Sequence, residues 1–300
     1  MTHARHTVVA INPTARSGKG AGVGARVVEC LGEAGFEVET VVGVDAHDLR
    51  DRLTHALRKD STLVIVGGDG MVSLAVNLLA GTRHNLALVP AGTGNDFARG
   101  MGYPVDDIEA CIELTLASIR REPKSVDLAE VTGSHGARMV AGVVSAGFDA
   151  LVNERANRMR FPRGHSKYTI AIFRELLALR PRDYEFTVDG VVSRIRAVLV
   201  SVANNSFMGG GMWVSPSSSL SDGTLEVFEV GPVSRRRLVR LLPSVFKGGH
   251  VNEPEVRITG VTKARLDSPG VVAYADGERI GPLPIEVVVR PGALRLHTLD

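Results

Sequence analysis

The sequence predicts two domains, an α/β domain with a parallel sheet followed by a mainly antiparallel β-sandwich. The first observation is length, because 300 residues exceed what one hydrophobic core usually serves, and cores stop growing at roughly 250 to 300 residues. The second is the alternation of short apolar runs with helix-spaced segments between Thr7 and about Lys124. The third is a change after Pro123 to strand-like pieces separated by turns. The predicted domains are residues 1–125 and 126–290, with a last segment, 291–300, that returns to the first domain.

Short continuous apolar runs in the first domain are typical of strands buried on both faces of a parallel sheet. The predicted strands are Val8–Ile11, Val38–Val42, Leu63–Val66 and Leu86–Val89. Between and after them, apolar residues recur at spacings of three and four, which is typical of helices that cover such a sheet. The predicted helices carry apolar sets that begin at Val23, Leu49, Val72 and Ile108.

In the second domain several segments alternate polar and apolar residues, as expected for strands with one buried face. The predicted strands are Val126–Val131, Arg138–Val144, Val191–Val202, Leu225–Val230, Val256–Ile258, Val271–Ala275 and Ile285–Val289. One helical insertion interrupts them, with Ile172, Phe173, Leu176 and Leu177 at helical spacing and Arg180-Pro181 as a stop signal.

Composition narrows the class of protein. A hydrophobic content of 44% with 23% charged residues is ordinary for a globular chain, and no apolar stretch approaches the ~18 residues of a membrane-spanning helix. The first six residues lead directly into a strand and leave no room for a signal peptide, which predicts a cytoplasmic protein. Cys30 and Cys111 lack metal-like spacing and are expected to be reduced thiols. A net charge of +2 argues against nucleic acid as a partner.

Two glycine-rich turns follow neighbouring predicted strands. Gly67-Gly68-Asp69-Gly70 comes directly after Leu63–Val66, and Pro90–Arg99, with Gly92, Thr93, Gly94, Asn95 and Asp96, follows the next strand. Backbone N–H groups of such turns close around a phosphate, and the following helix adds the positive end of its dipole. Asp69 places a carboxylate where a metal ion or a reacting proton would stabilise it. The pair of loops predicts a bound nucleotide, although each could be a tight turn and Asn95 and Asp96 could cap a helix.

A third polar loop follows the first strand. It runs from Asn12 to Gly20, and Pro13 and Gly20 occupy the positions where a Walker A motif needs glycine and Ser or Thr, so it is not a P-loop. The loop still lies at the carboxyl end of a strand, where open parallel sheets bind ligands.

Five blocks occur in an order that resembles the diacylglycerol kinase catalytic-domain family, which includes bacterial lipid kinases and the sphingosine and ceramide kinases. The blocks are Asn12-Pro13, Gly67–Gly70, Pro90–Ala98, Ser219–Leu225 and Tyr274–Glu278. Two further segments, Arg155–Arg160 and Phe246–Val251, look like those of actinobacterial diacylglycerol kinases. The resemblance covers nearly the whole chain.

The resemblance implies an ATP-dependent lipid kinase that needs Mg²⁺ and transfers the γ-phosphate to a lipid hydroxyl. Diacylglycerol is the expected acceptor and phosphatidic acid the expected product, in phospholipid biosynthesis. The implied fold is an α/β nucleotide-binding domain with a parallel sheet and a β-sandwich domain, with the active site in the cleft between them. The implied nucleotide contacts are Asn12, Pro13, Thr14, Gly67, Gly68, Asp69, Gly70, Thr93, Asn95 and Asp96. The implied catalytic residues are Asp276, Glu278 and Asp69, and the implied metal residues are Asp222, Ser219, Thr224 and Asp127.

Two positions depart from the family pattern. Met71 stands where the family usually has Thr or Ser after Gly-Gly-Asp-Gly, and Gly43 stands where related enzymes often place Thr beside the nucleotide. Asp276 and Glu278 are both candidates for the base that accepts the proton of the lipid hydroxyl. Their spacing does not choose between them, because Gly277 suggests a turn rather than a straight strand, and an ordinary hairpin turn is the alternative interpretation.

Two other functions are compatible with these motifs. NAD kinases also carry Gly-Gly-Asp-Gly, which leaves a soluble acceptor as the first alternative, and a non-catalytic nucleotide or lipid sensor is the second. The expected partners are a membrane lipid substrate, a peripheral contact with the inner face of the membrane and, in a homodimer, a second copy of the chain.

A basic segment and a triglycine loop are candidates for contact with the membrane surface. The basic residues are Arg155, Arg158, Arg160, Arg163 and Lys167. The loop, Gly209–Gly211, is flanked by Phe207, Met208, Met212 and Trp213 and is expected to be flexible. A solvated basic helix and core-facing apolar residues are the alternative interpretation.

Overall fold

The computed structural model describes residues 6–13, 15, 20–159, 170–171, 174–175, 178 and 180–300. Predicted features that lie outside the described residues are Thr14, the apolar set Ile172, Phe173, Leu176 and Leu177, and the basic residues Arg160, Arg163 and Lys167. The chain divides into two compact units. The first comprises Met1–Leu128, Gly209–Gly211 and Pro291–Asp300, and the second comprises Ala129–Met208 and Met212–Arg290.

The first unit is built on a parallel sheet whose described strands are β1 (His6–Ile11), β2 (Glu37–Val42), β3 (Thr62–Gly67) and β4 (Asn85–Pro90). Their order across the sheet is β2-β1-β3-β4. They pair in parallel along their lengths, and the end of a long last strand, β18 (Ile285–Leu296), pairs Arg295 and Leu296 with the start of β4. His297 N–H then donates to the Leu86 carbonyl at 2.8 Å, so the C-terminal segment belongs to this unit.

In the described part of this unit, the helices that accompany these strands are α1 (Gly20–Glu33), α2 (Ala46–Ala56), α3 (Asp69–Leu79), α4 (Asp96–Gly100) and α5 (Ile108–Ile119). Acidic side chains cap two of them, because Asp45 accepts from His47 N–H and Asp48 N–H, and Asp107 accepts from Ala110 N–H. The apolar stripes of α1 and α5 pack on the sheet. One buried cluster joins Val27, Leu31, Ile112 and Ile119 to Val9, Val64, Val66, Ala87 and Val89 of the strands.

The strands of the second unit form two antiparallel groups, and two of these strands run on from or into the first unit, because β5 begins there and β18 ends there. The bounds of the strands not yet given are β5 (Lys124–Gly133), β6 (Gly136–Val140), β7 (Val143–Gly147), β8 (Arg182–Val188), β9 (Val191–Ala197), β10 (Leu199–Ala203), β13 (Leu225–Val230), β14 (Val256–Val261), β15 (Lys263–Asp267), β16 (Val272–Ala275) and β17 (Glu278–Pro282). One group forms a sheet in the order β14-β13-β10-β7-β16-β17, and the other pairs β5 with β6 and joins β18, β15, β8 and β9 in that order. A short hairpin, β11 (Phe207–Met208) with β12 (Met212–Trp213), is separate.

The core of the second unit lies between its two groups of strands. Val202, Val227 and Ala273 come from the first group, and Phe186 and Leu266 come from the second, and all are buried in one cluster. This arrangement is a β-sandwich. The remaining elements of this unit are α6 (Phe148–Arg158), α7 (Arg235–Val245) and a 3₁₀ helix (Gly249–Asn252). None of the described helices is long and apolar enough to cross a membrane.

The predicted fold class is confirmed, with an α/β unit on a parallel sheet followed by an antiparallel β unit. Two predicted strands were wrong in extent. Val191–Val202 is divided into β9 and β10, which belong to different groups of strands, and Arg138–Val144 is divided into β6 and β7. The apolar pattern continues across both breaks, because residues on either side are buried in the same core. Among the elements that were not predicted from the sequence are β8, β15, β17 and α7.

Candidate functional site

Three loops of the first unit start at the same edge of the parallel sheet. They follow β1, β3 and β4, which are neighbours, and ligands of open parallel sheets bind at this edge. Asn12 N–H donates to the Val66 carbonyl at 3.1 Å, and Ala91 N–H donates to the Gly67 carbonyl at 2.8 Å. The predicted nucleotide residues Asn12, Gly67 and Gly68 are therefore close together, as the loop pattern predicted.

The two glycine-rich loops touch through their backbones. A Cβ placed on Gly68 would lie 2.8 Å from the Cα of Gly92, and a Cβ on Gly92 would lie 2.4 Å from the Cα of Gly68. Gly68 has a φ of −107°, so close packing rather than a left-handed backbone requires glycine there. Gly68 is also the N-cap of α3 and makes no side-chain cap. The positive end of the α3 dipole thus begins beside the contact between the loops.

Asn95 organises the second loop from inside. Its φ is +55°, its Oδ1 accepts Gly92 N–H at 2.8 Å, and its Nδ2 donates to the Gly92 carbonyl at 3.1 Å. It precedes α4 but its side chain does not cap that helix, so the alternative that Asn95 caps α4 was wrong. The physical reason is that both ends of its amide hold its own turn. Thr93 is exposed in the same loop, as a ligand-binding hydroxyl would be.

Asp69 supplies the cap that Asn95 does not. Its Oδ1 accepts Phe97 N–H, in the first turn of α4, at 3.1 Å. Burial raises the pKa of Asp69, and backbone N–H groups of Phe97 and its neighbours oppose that rise. Asp69 therefore connects the first loop to the helix that follows the second loop.

Asp96 lies near Asp69 and holds a triglycine segment. Its carboxylate accepts Gly210 N–H at 2.8 Å and Gly211 N–H at 2.7 Å. Burial raises the pKa of Asp96 to about 6; the negative charge of Asp69 adds to the rise, and the two glycine N–H groups oppose it. Asp69 and Asp96 are thus two neighbouring, partly buried carboxylates beside loops that suit a phosphate. Such a pair can share a proton or attract a cation. Nucleotide contact was predicted for Asp96 from the sequence, whereas its glycine partners were not.

Arg99 is a cation beside these loops that the sequence analysis did not single out. Its Nε donates to the Gly94 carbonyl at 3.3 Å, and its guanidinium is 3.6 Å from the position that a Cβ on Gly211 would take. Its place at the end of the Pro90–Arg99 block was the available signal.

Both departures from the family pattern have a packing explanation. Met71 is buried, and its Cγ would be 2.4 Å from a Cβ on Gly67, so it fills the space under the first loop. A Cβ on Gly43 would lie 2.5 Å from Leu49 Cβ and 2.6 Å from Leu49 N, which leaves no room for a threonine side chain. The start of α2 is packed where related enzymes often have a hydroxyl.

Asp127 lies on β5 and is buried, 4% exposed. Its Oδ1 accepts Gly292 N–H at 2.8 Å, so it fastens the returning C-terminal segment within the first unit. This contact gives Asp127 a structural task besides the metal link that the resemblance implies.

The Asp276-Gly277 pair forms a two-residue hairpin turn between β16 and β17. Both residues have positive φ, 47° and 80°, as in type I′ turns, where Asp-Gly is a favoured pair. Val143 N–H donates to Asp276 Oδ1 at 3.3 Å, and a Cβ on Gly142 would lie 2.2 Å from that oxygen. Asp276 is thus held against the backbone at Gly142 and Val143. The hairpin alternative is correct as local structure, and it leaves the catalytic prediction open.

Glu278 lies in a different environment from Asp276. It is exposed on β17, and its carboxylate pairs with Arg138. Close by in the chain, Tyr274 O–H donates to Glu154 Oε2 at 2.7 Å and Arg279 Nε donates to the same oxygen at 3.2 Å. No sequence motif identified Arg138 or Glu154. They reach Glu278 and Tyr274 only because distant strands and α6 lie together in the folded chain.

The predicted metal residues in the second unit lie around one turn that carries two acidic side chains. Asp222 Oδ1 accepts both the N–H and the hydroxyl of Thr224 at 2.9 Å, and Ser221 N–H donates to Ser219 Oγ at 3.3 Å. Glu226 accepts the Ser218 hydroxyl at 2.6 Å; burial raises its pKa, and the negative charge of Asp222 adds to the rise. The described residues contain no cluster of three or more His, Cys, Asp or Glu side chains arranged for a metal. Two carboxylates, turn carbonyls and hydroxyls are nevertheless the oxygen donors that Mg²⁺ accepts.

Two family models match the chain, one over each part. Residues 6–131 match the diacylglycerol kinase catalytic domain, and residues 142–298 match the YegS C-terminal NAD kinase beta sandwich-like domain. A diacylglycerol kinase of Mycobacterium tuberculosis is 39% identical over 93% of this chain and 91% of its own length. A diacylglycerol kinase of Bacillus subtilis is 27% identical over 88% and 86%.

A solved structure shares the fold. It is a putative diacylglycerol kinase from Bacillus anthracis, with a TM-score of 0.79 and 22% identity, and the match covers 98% of this chain and 97% of that one.

Proposed function

Because this chain belongs to the diacylglycerol kinase catalytic-domain family, we propose that it transfers the γ-phosphate of ATP to the hydroxyl of diacylglycerol and yields phosphatidic acid. Kinase chemistry on a lipid is common to this family, and the identity of the acceptor and its place in phospholipid biosynthesis are the proposal. The observation that carries it is the backbone contact between Gly68 and Gly92 at the start of α3.

That contact suits a polyphosphate. Phosphoryl transfer requires positioning of the phosphates and stabilisation of the negative charge that spreads over their oxygens. Backbone N–H groups near Gly68, Asp69 and Gly70 and the positive end of the α3 dipole provide such stabilisation without a side chain. Gly70 is exposed, and a Cβ there would meet nothing within 4 Å, so a ligand has room to approach its backbone. Thr93 and Asn12 are proposed to contribute polar contacts from the neighbouring loops.

Asp69 and Asp96 are proposed to position the cation that binds together with ATP. When Mg²⁺ is bound with ATP it neutralises phosphate charge, and carboxylates such as these are its usual protein partners. The hydrogen bonds from Phe97 N–H to Asp69 and from the two glycine N–H groups to Asp96 hold each carboxylate in one orientation.

Asp276 is proposed as the base that accepts the proton of the acceptor hydroxyl. Its carboxylate is half-buried and fixed by Val143 N–H, whereas Glu278 is exposed and paired with Arg138. A base that is already oriented loses less freedom when the substrate arrives. Glu278 is then proposed to orient Arg138 beside the acceptor.

Asp222, with Ser219 and Thr224, is proposed to hold a structural Mg²⁺. Burial raises the pKa of Glu226 and the negative charge of Asp222 adds to the rise, so two carboxylates lie near each other at this turn and a divalent cation would offset their charge. The proposed role of this ion is to stabilise the turn, and it takes no part in the transfer of the phosphate.

The test is transfer of radiolabelled phosphate from ATP to defined acceptors by the purified chain. We expect labelled phosphatidic acid from diacylglycerol and much less product from monoacylglycerol, ceramide, a sphingoid base or NAD. The variant Asp69→Asn serves as the inactive control. Labelling of NAD in place of lipid would favour the soluble-acceptor alternative, and no labelled product with any acceptor would favour a non-catalytic sensor.

A further inference from the structure

Helix α7 (Arg235–Val245) has an inward face that fastens it to the second unit. Leu241 is buried, and Val245 packs against the buried cluster of Val143, Ala203 and Val214. Arg237 pairs with both Glu253 and Glu255, and its Nε is 3.0 Å from Glu255 Oε1. Both acidic side chains that follow the helix are therefore ion-paired, and the one arginine offsets one of their two negative charges.

The opposite face of α7 is exposed and combines apolar and cationic side chains. Val239 and Phe246 are each 51% exposed, and Pro243 is exposed between them. Their spacing of four and three places them along one stripe of the helix and its C-cap. The cations that flank this stripe are Arg235, Arg236, Arg240 and Lys247, all exposed. Among the described residues none of these four pairs with a carboxylate.

We propose that this outward face of α7, which we call the docking face, binds the surface of a bilayer that contains anionic lipids. The choice of a bilayer rests on the proposed function, because a lipid kinase must reach an acceptor that is dissolved in a membrane. A face of this composition lies flat in the headgroup region, with its apolar side chains inserted and its cations against lipid phosphates. The long stems of Arg and Lys allow the charges to remain in water while the helix sits deeper.

Charge and apolarity together favour lipid over nucleic acid. A phosphate backbone would bind the four cations and would gain little from an exposed stripe of Val239, Pro243 and Phe246. A lipid interface uses both features. The face also carries no acidic side chain, so nothing on α7 repels an anionic surface.

The docking face differs from the segments that the sequence analysis singled out. Phe207 and Trp213 stack with their ring centroids 5.7 Å apart, and both are half-buried. Trp213 lies against Gly248, just beyond α7, because a Cβ on Gly248 would be 3.0 Å from its ring. These two aromatic residues therefore pack beside the end of α7, and the docking face does not include them.

The experiment is sedimentation of the purified chain with phosphatidylcholine vesicles, with and without phosphatidylglycerol, in the absence of nucleotide. The test variant reverses two charges of the docking face, Arg236→Glu with Arg240→Glu. Its matched control, Arg194→Glu with Arg196→Glu, makes the same charge change at exposed positions of β9. Each cation near an anionic surface contributes roughly a fivefold factor, so the test variant should bind at least about 30-fold more weakly at low salt. The control should change binding by less than about threefold, because β9 is not part of the docking face, and the loss of its exposed ion pairs should cost little stability.

A second variant separates insertion from charge. Val239→Ser with Phe246→Ser should weaken binding to phosphatidylglycerol vesicles at both low and high salt, because apolar insertion is not screened by ions. Thermal unfolding must show that every variant is folded. Equal losses in the test and control pairs, or unchanged binding in the test pair, would overturn the proposal. Loss of oligonucleotide binding with intact vesicle binding would also overturn it and assign the face to nucleic acid.

Enzyme activity distinguishes this proposal from the proposed function. Variants of the docking face should phosphorylate a short-chain acceptor dispersed in water at the wild-type rate and lose activity only towards an acceptor embedded in vesicles. A wild-type chain that binds vesicles through α7 and phosphorylates no lipid would leave the docking face standing and contradict the kinase assignment. An enzyme that phosphorylates lipid but binds vesicles equally well when α7 is altered would support the kinase assignment and overturn the docking face.

Discussion

Individual carboxylates of this chain differ because of what surrounds them. Asp69 and Asp96 are partly buried and hold backbone N–H groups, Asp276 is fixed in a hairpin turn, and Asp222 bonds to its own turn near Glu226. Burial raises the pKa of the first two, whereas Asp222 is exposed. The chemistry open to each therefore depends on local packing rather than on the residue type alone.

We expect Asp69→Asn to lower kcat by about 10²-fold or more while the melting temperature stays within a few degrees, since a charged group at a phosphate site typically contributes that much. The amide oxygen can still accept Phe97 N–H, so the helix cap is retained. Asp69→Ala should lose the activity and also about 1 kcal/mol of stability, because the cap is gone. Kinase assays and thermal unfolding of the two variants check this. Activity within a few-fold of wild type in both would reduce the Gly67–Gly70 loop to a simple turn.

For the base, Asp276→Asn is expected to lower kcat by about 10²-fold or more with little change in the KM for ATP, because a base acts in the transition state. Glu278→Gln should have the smaller effect on kcat, since Arg138 already occupies its carboxylate. Steady-state kinetics of the two variants decides the order. The opposite order would transfer the assignment to Glu278, and full activity in both would remove it from this turn.

The raised pKa of Asp96 predicts that the stability of the protein depends on pH. The pKa of Asp96 in the folded chain is about 6 against an ordinary value of 3.8, so between these values the folded state holds more protons than the unfolded state. The contribution of Asp96 to the free energy of unfolding is therefore largest below pH 4 and falls as the pH rises to about 6. Asp96→Asn should remove this fall, and the difference between the two pH profiles of chemical unfolding measures it. Parallel profiles from pH 4 to pH 7 would contradict the raised pKa.

At the scale of elements, the site depends on how two loops and one helix start fit together. The loops after β3 and β4 meet at Gly68 and Gly92, and α3 begins at the meeting point. Because strands β3 and β4 pair in register, the position of one loop determines that of the other. Small changes in side-chain volume at this point should have large effects.

A pair of glycine substitutions tests this geometry. Gly92→Ala would place a Cβ 2.4 Å from the Cα of Gly68, so we expect a loss of about 1–3 kcal/mol of stability together with weaker ATP binding. Gly70→Ala meets nothing within 4 Å inside α3 and should raise stability by up to about 1 kcal/mol. If the phosphates approach the Gly70 backbone, the same variant should raise the KM for ATP. An unchanged KM in Gly70→Ala would show that the nucleotide keeps away from this turn.

For the whole molecule, the proposed metal site predicts a stability that depends on Mg²⁺. A ligand that binds only the folded state raises the free energy of unfolding by about 2.7 kcal/mol at 100 times its dissociation constant. Mg²⁺ should therefore raise the melting temperature of the wild type and not that of Asp222→Ala. Glu185→Gln, a change of an exposed acid on β8, is the control and should keep the response. Equal responses in all three proteins would show that Asp222 does not hold the ion.

The sequence by itself determined the class of each half of the chain and the family. Apolar runs and helical spacing report burial directly, so the four parallel strands and the helices that cover them were predictable, and the motif blocks after Ile11, Val66 and Val89 identified the family that the comparisons confirm. The glycines at positions 68 and 92 in those blocks are explained by a contact between the two loop backbones, which leaves no room for a Cβ at either position.

Only the tertiary structure decided which side chains meet. Arg138 with Glu278, Glu154 with Tyr274, and Asp96 with Gly210 are each separated by more than a hundred residues, and no local pattern encodes such pairs. The division of Val191–Val202 into two strands and the outward face of α7 also needed the fold, since an apolar residue on a surface and one in a core look alike in sequence. Local spacing sets the elements because it acts through neighbours along the chain, whereas the site depends on contacts that exist only after the strands have paired.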